Sequence, residues 1–126
     1  MRILIAIVII CFLFVSLAFA HTATHWKTGE SMGWEYDKEC CDGTDCAMVA
    51  PNVVTRTPNG YLIVIEKGQH PNLTSKQTFL VPFDAKQVRP SPDGFYHVCV
   101  GSDKWPDGSI TLAPNLYCLY VPYELG

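Results

Sequence analysis

No stretch of this chain is rich in lysine and arginine. Without a basic patch to neutralise phosphates, nucleic acid is excluded as an expected partner. Equally absent are a Ser/His/Asp hydrolase motif, a glycine-rich phosphate loop and a His-Glu-x-x-His zinc motif. No internal repeat or low-complexity run occurs, and no long segment follows the 3.6-residue period of an amphipathic helix. Beyond residue 20 no apolar run is long enough to cross a bilayer. What remains is a short chain of 126 residues with a formal charge of −3, three tryptophans, nine prolines and six cysteines.

Residues 1–20 have the three parts of a secretory signal. Met1-Arg2 is followed by an apolar run from Ile3 to Val15, then by a small-x-small end at Ala18-Phe19-Ala20 that would be cut before His21. The rival reading is a retained inner-membrane anchor, since Ile3 to Ala20 approaches a bilayer's span. Cys11 lies inside the apolar run with no small residue before it, so it does not mark a lipid attachment and leaves with the signal. The expected location is therefore periplasmic or secreted, with no membrane span after cleavage. Residues 21–126 are expected to fold as one unit, made of an acidic, aromatic, cysteine-bearing arm (21–46) and a β domain (47–126). The arm carries two lysines against six acids while the rest is balanced, so the net charge of the exported part sits in the arm.

The arm's text from His21 to Glu39 has neither a strand nor a helix period, and Gly29 and Gly33 weaken any helix. It reads as irregular chain whose Trp26, Trp34 and Tyr36 lie against the domain. Further on, short β-type runs alternate with proline and glycine. Residues 53–57 and 61–67 flank Pro58-Asn59-Gly60 and read as a hairpin; residues 78–81 form a strand ended by Pro82. Asp84 to Val88 reads as one helical turn or a short edge strand, and Pro90-Ser91-Pro92-Asp93-Gly94 as a turn. Residues 95–100 and 116–121 are long strands, with Ser109 to Leu112 a further short one. The fold class expected is mainly β, a small antiparallel meander or open barrel with an irregular cysteine-rich amino-terminal arm, stabilised by disulfides.

Three thiols, Cys40, Cys41 and Cys46, fall within seven residues, and Cys99 and Cys118 follow far downstream. In an oxidising compartment they form a disulfide framework with one thiol left over. If the last two long strands pair, Cys99 and Cys118 come side by side and a bridge there contributes about 3 kcal/mol. Cys46 would then join Cys40 or Cys41 around the Asp42-Gly43 turn. The competing scheme ties Cys40 or Cys41 to Cys99 or Cys118 and pins the arm across the sheet.

Two chemical readings stand beside the structural one. A spare thiol needs a base, and His97 lies on the same strand face as Cys99, about 7 Å away at the backbone; this is the thiol redox or stress reading. If the chain begins at His21, its amine and ring, with His25 or His97, form a nitrogen-only set suited to copper. A zinc site drawn from Cys40, Cys41, Cys46, His97 and Cys99 has ligands enough but conflicts with an oxidising environment. Asn72-Leu73-Thr74 fits a glycosylation acceptor and also an ordinary loop triplet. Asp42 and Asp45, around Gly43, read as turn formers before calcium ligands.

Taken together, Cys-Cys-x-x-x-Asp-Cys (Cys40, Cys41, Asp45, Cys46), Val-Arg-Pro-Ser-Pro-Asp-Gly with His-x-Cys (88–94, His97, Cys99) and Cys-x-Tyr-Val-Pro (Cys118, Tyr120, Val121, Pro122) form a pattern. It resembles an uncharacterised family of small secreted proteins from alphaproteobacteria and their phages. The chain departs from that family in a longer loop between Cys99 and Cys118, which bears on any bridge between them, and in an extra segment from Lys27 to Lys38. The resemblance implies location and cysteine positions, not an activity. The leading expectation is a non-enzymatic binding or envelope-associated domain acting on an envelope or extracellular protein, with no cofactor; copper binding and thiol redox chemistry are the alternatives.

Overall fold

The structure, a computed structural model, describes residues 21–41, 43–111 and 113–123. The signal-peptide expectation and the part played by Asp42 lie outside those residues. Among the described residues nine strands form three sheets: a hairpin of β1 (Thr22–Thr24) and β2 (Ser31–Glu35), a four-stranded sheet, and a three-stranded sheet. The four-stranded sheet has the order β3-β8-β9-β7, from β3 (Cys46–Met48), β8 (His97–Val100), β9 (Leu116–Pro122) and β7 (Val88–Ser91). The three-stranded sheet is β4 (Val54–Thr57), β5 (Gly60–Ile65) and β6 (Gln77–Val81) in chain order. Every pair is antiparallel except β7 with β9. The molecule is mainly β, disulfide-linked, and its sheets do not close into a barrel.

The four-stranded sheet is the middle layer, and the alternation of its residues dictates what each face meets. Along β8 and β9, Val98, Val100 and Leu119 turn to an aliphatic core with Val54, Tyr61, Ile63, Ile65 and Val81 of the three-stranded sheet. His97, Cys99, Cys118 and Tyr120 occupy the alternate positions and meet the arm. There they cluster with Ala23, Tyr36, Cys40, Cys41 and Cys46. One face is thus hydrocarbon and the other sulfur, ring and hydrogen bond. All four residues of β8 are buried because both faces are covered.

Several expectations change on contact with this architecture. The arm is not wholly irregular, since β1 and β2 pair across a turn in which the N–H of Gly29 bonds to His25 O at 2.8 Å and Gly29 takes φ 72°. Glycine there serves the hairpin rather than breaking a helix. Pro90 and Ser91 belong to β7 instead of a turn; β7 is an edge strand, where proline's missing N–H leaves no ladder bond unmade. Of the strand expected over Ser109 to Leu112, the described residues 109–111 show only an isolated bridge between Ile110 and Lys104, and Leu112 lies outside the described residues.

The β4–β5 hairpin forms as its composition suggests, but its loop is Pro58-Asn59, with Thr57 opposite Gly60. An Asn-Gly turn of the mirror-image type needs positive φ at asparagine, and no described non-glycine residue has it. Instead Thr57 Oγ1 takes the Asn59 N–H at 3.2 Å and donates to Gly60 O at 2.9 Å, so one hydroxyl closes the turn.

Candidate functional site

Two arrangements on the arm side of the middle sheet have chemistry to offer: a buried ring-and-carboxylate cluster, and a groove under the β1–β2 hairpin. Both depend on the disulfides, whose pairing overturns the first scheme. Cys40 bonds to Cys118 and Cys46 to Cys99. Cys99 lies directly opposite both Cys46 on β3 and Cys118 on β9, so pairing on the sheet alone leaves two choices. The arm resolves them. The N–H groups of Cys40 and Cys41 bond to Asp37 O at 2.9 and 3.0 Å, a turn that sets Cys40 over Cys118 and leaves Cys99 to Cys46. Cys41 keeps its thiol, which is buried and donates to Gly43 O at 3.3 Å.

His97 is fully buried, with both ring nitrogens engaged. Nε2 lies 2.8 and 3.0 Å from the Asp93 oxygens and Nδ1 lies 2.8 Å from Tyr36 Oη. Asp93 also accepts from Trp34 Nε1 at 2.8 Å, Ser91 Oγ at 2.8 Å and the Phe95 N–H at 3.0 Å. Burial works to raise the Asp93 pKa, but these hydrogen bonds together outweigh it and hold the group below the usual carboxylate range. An ionised Asp93 fixes the proton on Nε2, so Nδ1 is the acceptor and the tyrosine hydroxyl donates to it. Burial lowers the His97 pKa, with Asp93 opposing, and burial first and then the Asp93 charge raise that of Tyr36.

The rings pack as they bond. Trp34 meets Tyr36 and His97 edge-on with centroids 4.9 Å apart, and Tyr120 lies 5.2 Å away. Tyr120 Oη donates to Asp37 at 2.8 Å and accepts that residue's N–H at 2.9 Å. Outside it, Arg89 pairs with Glu39 at 2.7 Å. An aspartate, a histidine and a hydroxyl in line have the composition of a proton relay, yet here Tyr36 is buried and its hydroxyl's hydrogen bond ends on the ring. The cluster clasps the arm to the loop after β7.

The groove has a volume of about 830 Å³, within the range of small-ligand sites. One wall is the β1–β2 hairpin with His21, His25 and Trp26; the floor is Cys46 to Met48; the far wall is Asn52 with residues 68–71. Among the described residues no lysine, arginine, aspartate or glutamate lines it. Trp26 is 47% exposed, so it does not pack into the domain as Trp34 and Tyr36 do. The imidazole of His25 accepts at Nδ1 from the N–H groups of Lys27 and Thr28 at 3.2 and 3.4 Å, which holds the hairpin turn. His21 stacks on Tyr36 at 5.7 Å.

The far wall is anchored by a second buried polar joint that the sequence reading missed. His70 lies 3.0 Å from Val98 O through Nε2 and accepts the Asn72 N–H at 3.1 Å on Nδ1, so it is neutral; burial lowers its pKa. Asp103 is fully buried and accepts from the N–H and hydroxyl groups of Thr74 and Ser75 at 2.9 to 3.0 Å. Burial alone would raise the pKa of Asp103; these bonds together lower it. The Asn72 amide donates to Val100 O at 3.0 Å and Asp45 Oδ1 at 3.3 Å. The Asn72-Leu73-Thr74 triplet is therefore a structural joint.

The structure brings the residues singled out from sequence together only in part. His21 and His25 share the groove, while His97 is buried in the clasp and does not line it. Among the described residues no group of three or more His, Cys, Asp or Glu side chains is placed to hold a metal ion. Cys40, Cys46 and Cys99 are oxidised, which removes the zinc set, and Cys99 meets Cys46 instead of acting with His97. No described helix is long and apolar enough to cross a membrane. Comparison with known family models, with curated proteins and with solved structures finds no match to this chain.

Proposed function

We propose that this chain is an exported, non-enzymatic binding domain, periplasmic or secreted, whose groove under the β1–β2 hairpin takes part of an envelope or extracellular protein. The observation that carries the reading is the groove itself. It is open, no Lys, Arg, Asp or Glu side chain lines it among the described residues, its rim is a half-exposed indole that carries the Lys27 ammonium over its ring, and its floor is a strand that a disulfide ties to β8. Binding sites combine such apolar and aromatic surface with a few fixed polar groups on a rigid support. The titratable cluster beside it points the same way. Its carboxylate, imidazole and hydroxyl are spent on one another and on the arm, which suits holding a shape better than turning over a substrate. Export is supported by the two disulfides, which persist in oxidising compartments, and by the composition of residues 1–20.

Site-specific photocrosslinking in the source cell tests the reading. A photoreactive residue at position 26 is expected to give a discrete protein adduct, and one at the exposed Ile110 none. Equal labelling from both positions, or none from position 26, would remove the groove as the binding face.

A further inference from the structure

A second groove, of about 630 Å³, runs along β6 on the other side of the molecule. Residues 77–82 line one side of it without a gap, and Gln87 with residues 113–116 form the other. A groove on a sheet's face meets every second residue of a strand, because side chains alternate. Lining by consecutive residues places this groove along the backbone edge. β6 closes its sheet with no strand beyond it among the described residues, so its outward N–H and C=O groups face the groove.

The other edges of the two larger sheets are blunted in the ways that natural proteins use against strand pairing. β4 carries Arg56, β7 carries Arg89 and Pro90, and β3 is a three-residue strand against which the arm packs. β6 is Gln-Thr-Phe-Leu-Val, with no charge and no proline, and Leu80 is 54% exposed. From this edge we infer that β6 accepts an extended peptide segment of another protein as an added strand, a site separate from the groove under the arm and independent of what that groove binds.

Size and side chains define the occupant. At a rise of about 3.3 Å, a strand spacing of about 4.8 Å and a sheet thickness of about 10 Å, a strand fills roughly 160 Å³ per residue. The groove therefore holds about four residues, close to the length of β6. The guest's inward side chains would sit between Phe79 and Leu116, both already packed on the aliphatic core, and its outward ones beside Thr78 and Leu80. That favours a segment with apolar residues at alternate positions and no charge. A second copy of this chain does not fit, because residues 113–116 stand beyond the strand and two such walled edges cannot close on each other. Backbone bonds would supply affinity and the alternate pockets selectivity.

The probe is a capped pentapeptide alternating valine and threonine, titrated into the oxidised protein with backbone amide shifts as the readout. Saturable shifts confined to β6 and residues 113–116 are expected. The same peptide N-methylated at every residue is expected to produce none, and Thr78→Lys with Leu80→Lys, both at exposed positions, to weaken binding at least tenfold in a protein of unchanged near-ultraviolet dichroism. Shifts confined to the groove under the arm, equal binding of the methylated peptide, peptide-independent dimerisation through β6, or no shift at the peptide's solubility limit would each overturn the inference.

Discussion

Tyr36, His97 and Asp93 form one chain of hydrogen bonds in which Tyr36 is the donor to His97 Nδ1, so removing that hydroxyl strands the ring nitrogen. Tyr36→Phe keeps the ring packing and deletes the donor to Nδ1; a buried acceptor left unmade costs about 1 to 3 kcal/mol. Urea unfolding of the two proteins measures that loss, and equal midpoints would contradict the donor role. The histidines also set a pH dependence. His97 and His70 bind protons more weakly in the fold than their ordinary value of 6.5, so below that pH the unfolded chain binds more protons than the native one. Stability is then full above about pH 6.5 and is lost as pH falls towards the depressed values. Asp93 and Asp103 act in the same direction at lower pH, since their pKa values are depressed from 3.8. The urea midpoint is expected to fall between about pH 7.5 and about pH 5; a flat profile would refute the neutral buried histidines. At this scale the cysteine positions could be read from the text and their partners could not. Cys99 has a cysteine opposite it on each side, and the choice lies with an arm turn that no local pattern announces. Asp93 does lie in a turn, but its role as a hydrogen-bond hub is hidden because the tryptophan, histidine and serine it serves are distant or unremarkable in sequence.

Among the elements, β5 and β6 were legible because β-branched and aromatic residues run between strong breakers. β3 is a three-residue strand whose pairing with β8 is held by a disulfide, leaving no periodic signal to find. β7 was hidden by Pro90, which an edge position tolerates, and by the turn text that follows it. Gly60 shows how closely the hairpin is fitted. It sits at φ 136°, and a Cβ there would overlap the Val81 carbonyl on β6, which is backbone and cannot swing aside. Gly60→Ala is expected to lower stability by about 2 kcal/mol or more in thermal or urea unfolding, with the loss borne by the β4-β5-β6 sheet. An alanine variant as stable as the parent would mean that the hairpin and β6 are not so closely apposed.

Across the whole molecule, a small domain with a core on one face of its middle sheet secures the other face by covalent and polar means. The bridges span 78 and 53 residues, separations for which loop closure contributes about 4 kcal/mol taken singly, and less for the second because it is nested in the first. The mainly β class and the reliance on disulfides followed from composition and spacing. The layering did not, because it rests on which side of β8 and β9 meets the arm. That layering makes the groove under the arm rigid and leaves β6 as the unguarded edge. The central claim is that the arm is bonded across the middle sheet, and peptide mapping of the oxidised protein tests it directly. Blocking Cys41 in denaturant and cutting before Asp42 and Asp45 separates Cys46 from the Cys40-Cys41 pair. Fragments joined as Cys40 with Cys118 and Cys46 with Cys99, and Cys41 alkylated only after denaturation, are the predicted result. A fragment joining Cys99 to Cys118 would contradict the account.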